Sequence, residues 1–188
     1  MKISPRSASP HIGKFDRPVI DFNGVGEWSV EGIRIRYESL ALRLGVKSQA
    51  HLTPHIHREG ERTWIYPLIG ELLPLVELGD RAAIEIGVQF IEEDEFFVFG
   101  KILKSNMARA LRRAELTPEQ QHRIRQRIVG MLLRGDVPHE FHEYKRLLRR
   151  VGLGDMWPIL DERVDRTNKY VMRHYEYLDR FARQAPTV

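Results

Sequence analysis

Cysteine is absent from the 188 residues. Its absence removes disulfides and every thiolate metal site, and it fits a reducing compartment. Long apolar runs are missing too. The two longest, Thr63 to Gly70 and Leu72 to Val76, are interrupted by Pro67 and Pro74. Both fall far short of the ~20 residues a membrane-spanning helix needs, so no membrane partner is expected. The opening stretch MKISPRSASPHIGKFDRP is basic but has no apolar centre, unlike a secretory signal. Its prolines make residues 1–18 read as a flexible arm, and the expected location is the cytoplasm.

Reaction signatures are also missing. Gly100-Lys101 lacks the earlier glycine and the following Ser/Thr of a phosphate loop. His139-Glu140-Phe141-His142-Glu143 places a glutamate where the H-E-x-x-H zinc helix needs its second histidine. Neither a Ser-His-Asp order nor a paired-carboxylate spacing is present. No catalytic residue is assigned, and the reading leans away from an enzyme.

What is present is an ordinary globular composition, 42% hydrophobic and 30% charged. The length suits a single domain over residues 19–188, with a β or loop portion at 19–66 and a helical portion at 67–188. Fold-class expectations follow from periodicity. VIDF-NG-VGEW suits a hairpin turning at Asn23-Gly24. Ile33, Ile35 and Tyr37 alternate with Arg34, Arg36 and Glu38, which is strand periodicity. The same stretch offers Val30, Ile33, Tyr37, Leu40 and Leu44 at helical spacing, closed by Gly45. The strand is preferred, followed by a helical turn from about Ser39.

From Pro67 the helical pattern dominates. Helices are predicted over Pro67–Leu78, Arg81–Ile91 (with a hairpin as competitor), Phe96–Ala114, and from Thr117 to Arg134, where Thr117-Pro118-Glu119-Gln120 forms a capping box. Two more follow, at about Pro138–Val151 and at Asp155–Arg183, the last broken near Thr167-Asn168. The acidic run Glu92–Glu95 reads as the N-terminal, dipole-favoured end of a helix. Short amphipathic helices with tight Gly and Pro breaks predict a mostly α fold of stacked antiparallel helix pairs with a small N-terminal β element. Over roughly residues 65–152, Pro74 and the opening Asp80-Arg81 give it a weak resemblance to HEAT-type repeats, without a clean period.

Charge is unevenly spread. Residues 1–100 hold 11 Lys/Arg against 15 Asp/Glu, residues 101–150 hold 13 against 5, and residues 151–188 hold 6 against 6. At ~100° per residue, Arg123, Arg127 and Arg134 fall opposite Ile124, Ile128 and Leu132. Lys145, Arg146, Arg149 and Arg150 share the face away from Phe141 and Leu148. Lys101, Lys104 and Arg112 group together, with Arg109 and Arg113 beside them. The candidate polyanion-binding set is therefore Arg109, Arg112, Arg113, Arg123, Arg127, Arg134, Lys145, Arg146, Arg149 and Arg150. Arginine's planar fork suits phosphate and carboxylate, so the expected partner is an acidic protein surface or a nucleic-acid backbone. On this reading, reversing Arg123, Arg127, Arg146 and Arg149 to Glu abolishes binding and leaves the melting temperature nearly unchanged. The alternative is an internal match of these arginines with Glu92–Glu95.

The histidines offer a second chemistry. If His51-Leu-Thr-Pro-His55-Ile-His57-Arg-Glu59-Gly-Glu61 is extended, His55 and His57 point the same way, with His51 or Glu61 as further ligands for a divalent transition metal. The stretch resembles the first metal motif of cupins, which joins H-x-H to a nearby glutamate. The glycine spacing departs from that motif, and the helical remainder supplies no second one. At the C-terminus, Trp157, Tyr170, Tyr175, Tyr177 and Phe181 read as core or as a homodimer surface on the last helix. Together these expectations describe a non-enzymatic helical interaction module with a basic face and no cofactor, with a metal-dependent enzyme using the histidine loop as the alternative.

Overall fold

The computed structural model describes residues 18–48 and 51–183. Among them, three short strands near the N-terminus, with a helix between the first and second, are followed by helices: β1 Val19–Asp21, α1 Val30–Leu44, β2 Ile56–Glu59, β3 Arg62–Ile65, α2 Leu73–Glu77, α3 Arg81–Glu93, α4 Gly100–Leu111, α5 Pro118–Leu133, α6 Phe141–Val151, α7 Met156–Arg163 and α8 Lys169–Ala182. No helix among the described residues is long and apolar enough to cross a membrane. The predicted arm lies almost wholly outside the described residues.

Two N-terminal expectations are corrected. The stretch around Ile33–Glu38 is helix, not strand. The Ser29 side chain caps α1 by accepting from the Gly32 amide, and Gly45 ends it in the left-handed region at φ 63°. The residues it buries are Ile33, Tyr37, Leu40 and Ala41, a helical stripe, while Ile35 is exposed. Burial follows the 3.6 period, and the alternating arginines are incidental to it. Asn23-Gly24 makes no hairpin either. β1 runs parallel to β3, and the hairpin instead joins β2 to β3 through Gly60, whose φ of 57° a side chain would strain. Asn23 serves as a staple. Its Oδ1 accepts from the Leu68 amide at 2.7 Å and its Nδ2 donates to the Tyr66 carbonyl, tying the sheet to the helical part.

α3 is the centre of the core. Ala82, Ala83, Ile86, Val88, Phe90 and Ile91 are fully buried, and the helix is packed by α1, α2, α4 and α5. Such all-round burial is why this segment alternates as well as cycles in sequence. Asp80 starts it, accepting from the Ala82 and Ala83 amides at 2.9 Å and from the Tyr37 hydroxyl at 2.7 Å. Replacing Asp80 with alanine removes the cap and the hydroxyl's acceptor together. A loss of about 2 kcal/mol is expected, read as a lower urea midpoint at unchanged slope.

The next expectations shift at their ends. α4 begins at Gly100, not Phe96, because Asp94 and Phe99 adopt left-handed conformations at φ 53° and 67° and break the chain between α3 and α4. The acidic run therefore sits at the C-terminal end of α3, the disfavoured pole for carboxylates, and not at a helix start. α5 carries the expected capping box, with Thr117 and Gln120 bonded reciprocally. α6 starts at Phe141 after a turn at 138–140. α7 and α8 are separated as expected, and Asn168 caps α8 through the Tyr170 and Val171 amides.

Candidate polyanion-binding face

The ten basic residues of the charge reading divide into groups with different surroundings. Arg123 reaches back to α3. It donates to Glu85 at 2.7 Å and through Nε to both Glu92 oxygens at 3.0 Å, and the Glu92 bond first of all raises its pKa above the ordinary arginine value. Arg127 donates to Asp94 at 2.7 Å, and Lys104 holds the other oxygen of the same carboxylate. Arg109, Arg112 and Arg146 converge on Glu143, a side chain only 7% exposed, at 3.5, 3.3 and 2.9 Å. Arg113 pairs with Glu77 at 3.0 Å. The α3 carboxylates, placed at an unfavourable helix pole, are thus met by cations from α4 and α5. Much of the positive surplus of residues 101–150 is spent inside the fold.

Lys145, Arg149, Arg134 and Arg150 remain without a carboxylate partner among the described residues. Two of them lie at one aromatic ring. Lys145 is only 7% exposed, and its Nζ lies 4.7 Å from the centroid of the Tyr177 ring on α8. The Arg149 guanidinium lies 5.8 Å from the same ring. On α8, Arg173 lies four residues before Tyr177 and Arg180 three after it. Burial first, then the charges of Arg173, Arg146 and Arg180, depress the Lys145 pKa. His174 on α8 packs edge-on against Phe141 at 4.8 Å, and its buried Nδ1 has no hydrogen-bond partner. Burial and the charges of Lys145 and Arg173 push its pKa down to about 4. His142 is lowered in the same way, by burial and then by Arg146 and Lys145.

Arg173, Arg180 and the seat provided by Tyr177 escaped the charge reading because residues 151–188 are neutral overall. A signal was present nonetheless, since Arg173, Tyr177 and Arg180 follow an i, i+4, i+7 stripe on α8, facing Lys145 and Arg149 at i, i+4 on α6. Of the acids near this stripe, one is engaged by a neighbouring arginine. Asp179 accepts from Arg183 at 2.8 Å, and Arg180 Nε donates to the Glu176 carbonyl at 3.2 Å. Of the other C-terminal aromatics, Trp157 stacks on Tyr175 at 5.7 Å, the Tyr175 hydroxyl donates to Asp161, and Tyr170 is exposed.

The histidine loop is placed differently. His55 and His57 do share one side of the β2–β3 ladder, as alternation requires. Each ring leans on an aromatic of β3 or its end, His57 on Trp64 at 5.3 Å and His55 on Tyr66 at 5.4 Å. His51 lies in a turn before the ladder, and Glu61 occupies the hairpin tip. Among the described residues no three His, Asp or Glu side chains come close enough together to hold a metal ion. The His139–Glu143 segment also departs from expectation. A helix start of charged residues suits the surface, yet Glu140 and Glu143 are 3% and 6% exposed while His139 and His142 face outward. The reason is that Glu143 is the shared acceptor of three arginines.

An open cleft of about 1270 Å³ lies between the end of α1, the α2–α3 turn and the α4–α5 turn. Its inner wall carries Glu85, which accepts from Gln120 at 2.8 Å, Gln89 at 3.1 Å and Arg123. These groups satisfy one another. Compared with family models, curated proteins and solved structures, the chain matches none.

Proposed function

We propose that this chain is a non-enzymatic helical interaction module, a HEAT-like stack of helices, that docks an acidic protein partner on the face made by α6 and α8. One observation carries the reading: Lys145, buried to 7% exposure, and Arg149 share the Tyr177 ring without a carboxylate, whereas Arg109, Arg112, Arg113, Arg123, Arg127 and Arg146 each hold one. A cation left in this state at low exposure is costly unless an anion comes to it. A protein surface suits the face better than a nucleic acid. The basic field is a spot between two helices and not a track across three, and the one aromatic ring in it is already covered by cations, leaving none for base stacking. A second copy of the chain is a poor occupant, since it brings the same cations face to face.

The test is a salt titration of binding to a 20-residue poly-glutamate peptide and to a 20-base-pair DNA duplex. The wild type is expected to bind the peptide with an affinity that falls as salt rises. The exposed triple reversal Arg149→Glu/Arg173→Glu/Arg180→Glu is expected to lose at least about tenfold in affinity. Its melting temperature should stay within about 2 °C of wild type, because exposed charges contribute little to stability. Absence of salt-sensitive binding by the wild type to both probes would sink the reading.

A further inference from the structure

We propose that Lys145, Arg149, Arg173 and Arg180 form a recognition site for a phosphate monoester, a phosphorylated side chain carried by the protein partner. The inference rests on the docking face proposed above and names the group that fills its centre. Three features lead to it.

The first is charge stoichiometry. Lys145 and Arg149 of α6 share the Tyr177 ring of α8, whose stripe also carries Arg173 and Arg180, while Glu143 is held by Arg109, Arg112 and Arg146 and Asp179 by Arg183. A single carboxylate brings one negative charge and two acceptor oxygens. A phosphomonoester brings about −1.5 to −2 and three acceptor oxygens, enough for an ammonium and two or three guanidinium groups at once.

The second is construction. Lys145 is nine-tenths buried, makes no hydrogen bond or ion pair among the described residues, and is seated on Tyr177 by a cation–π contact at 4.7 Å. The ring fixes the ammonium without neutralising it, so its donors are left for an incoming anion. The Arg149 guanidinium lies at the same ring, 5.8 Å from its centroid. Long basic side chains normally keep their heads in water, and this lysine departs from that habit with like charges around it. The neighbours that depress its pKa are Arg173, Arg146 and Arg180, each of which an anion would offset.

The third is size. Lys145 and Arg149 are one helical turn apart, about 6 Å, and Arg173 and Arg180 span two turns, about 10 Å. That footprint suits one phosphate and a few flanking residues. A duplex presents a phosphate every few ångströms along each strand. It requires the longer stripe that the internal ion pairs of α4 and α5 have removed.

The experiment follows the Lys145 side chain directly, by the 13Cε chemical shift of the full-length protein across a pH titration. Probes are the blocked tripeptide Gly-phosphoserine-Gly, its Gly-Glu-Gly counterpart, the poly-glutamate peptide and the DNA duplex. The phosphotripeptide is expected to raise the Lys145 titration midpoint and to bind at least about tenfold more tightly than Gly-Glu-Gly. Its binding should weaken as pH falls through about 6, where the phosphate loses its second charge. Arg149→Gln and Arg180→Gln, both at exposed positions, should each weaken it several-fold. Equal affinity for the two tripeptides, or an unmoved Lys145, overturns the phosphate site, and if poly-glutamate still binds, the docking face survives that failure. If neither poly-glutamate nor the phosphotripeptide binds, both proposals fall. Tighter binding of the duplex with a shift at Lys145 replaces the phosphoprotein by a nucleic acid and overturns this inference.

Discussion

Reversal of Arg123 to glutamate is expected to destabilise the protein by about 3 kcal/mol or more, whereas the same reversal at Arg149 should cost less than about 0.5 kcal/mol. The charge pattern treats both residues alike, as outward-facing cations of basic helices. Their surroundings are opposite. Arg123 bridges two α3 carboxylates, its side chain 24% exposed and those of Glu85 and Glu92 11% and 27% exposed. A glutamate at this position removes the bridging cation and sets three carboxylates against one another beside the core. Glu85 retains Gln120 and Gln89 as donors, so the loss is not total, but amides do not neutralise its charge. Arg127→Glu should act in the same sense through Asp94, which would keep only Lys104. Urea unfolding of the Arg123→Glu, Arg127→Glu and Arg149→Glu proteins gives the comparison. A similar midpoint for Arg123→Glu and Arg149→Glu would mean that the α3–α5 ion pairs contribute nothing. The expectation that Arg123 and Arg127 can be reversed without thermal cost is therefore replaced, and binding experiments belong on Arg149, Arg173 and Arg180.

Which features were legible in the sequence follows from how local their causes are. The Thr117–Gln120 capping box and the break before Asn168 are written within four residues of where they act, and both are found there. α1 was misread because Arg34 and Arg36 alternate with apolar residues for tertiary reasons. Arg34 donates to the Leu52 carbonyl at 2.8 Å, and Arg36 lies over Trp28 while holding Glu93. The Asn23-Gly24 hairpin failed because β1 finds its partner some forty residues away, in a parallel pairing that no local turn announces. The position of the acidic run failed for a subtler reason. Left-handed backbone at Asp94 and Phe99 ends one helix and delays the next, and neither residue type signals it as glycine would. That single displacement decides the electrostatics, because it turns Glu92 and Asp94 toward α5 and converts a predicted surface patch into interhelical ion pairs. In the candidate site, Lys145 and Arg149 were visible as α6 cations. Their α8 counterparts were hidden by counting charge over a segment when the face of the helix was the relevant unit.

Acidification from pH 7 to pH 5 is expected to destabilise the protein through His174, and His174→Phe should remove that part of the loss. In the folded chain the ring is packed on Phe141 among Lys145, Arg173 and His142, and its pKa is pushed down to about 4. The unfolded chain titrates near the ordinary value of 6.5. The folded state therefore binds fewer protons between those two values. Stability contributed by the neutral ring is fully present above about 6.5, is lost as pH falls below it, and levels off below about 4. The full difference corresponds to about 3 kcal/mol, which partial solvent access reduces to about 2 kcal/mol. For a chain of this size that amounts to a drop of roughly 4–8 °C in melting temperature over the whole window. Phenylalanine keeps an edge-on ring against Phe141 and cannot take a proton. It also replaces a buried nitrogen that has no hydrogen-bond partner, so little is lost at neutral pH. Other titrating groups act in both proteins and cancel when the two pH profiles are subtracted. A difference profile that is flat between pH 7 and pH 4 would show that neither burial nor the neighbouring cations lower the pKa of this ring. Added phosphoserine peptide supplies a further check, because an anion among Lys145 and Arg173 should raise the His174 pKa, so that the His174-dependent loss becomes smaller and levels off at higher pH.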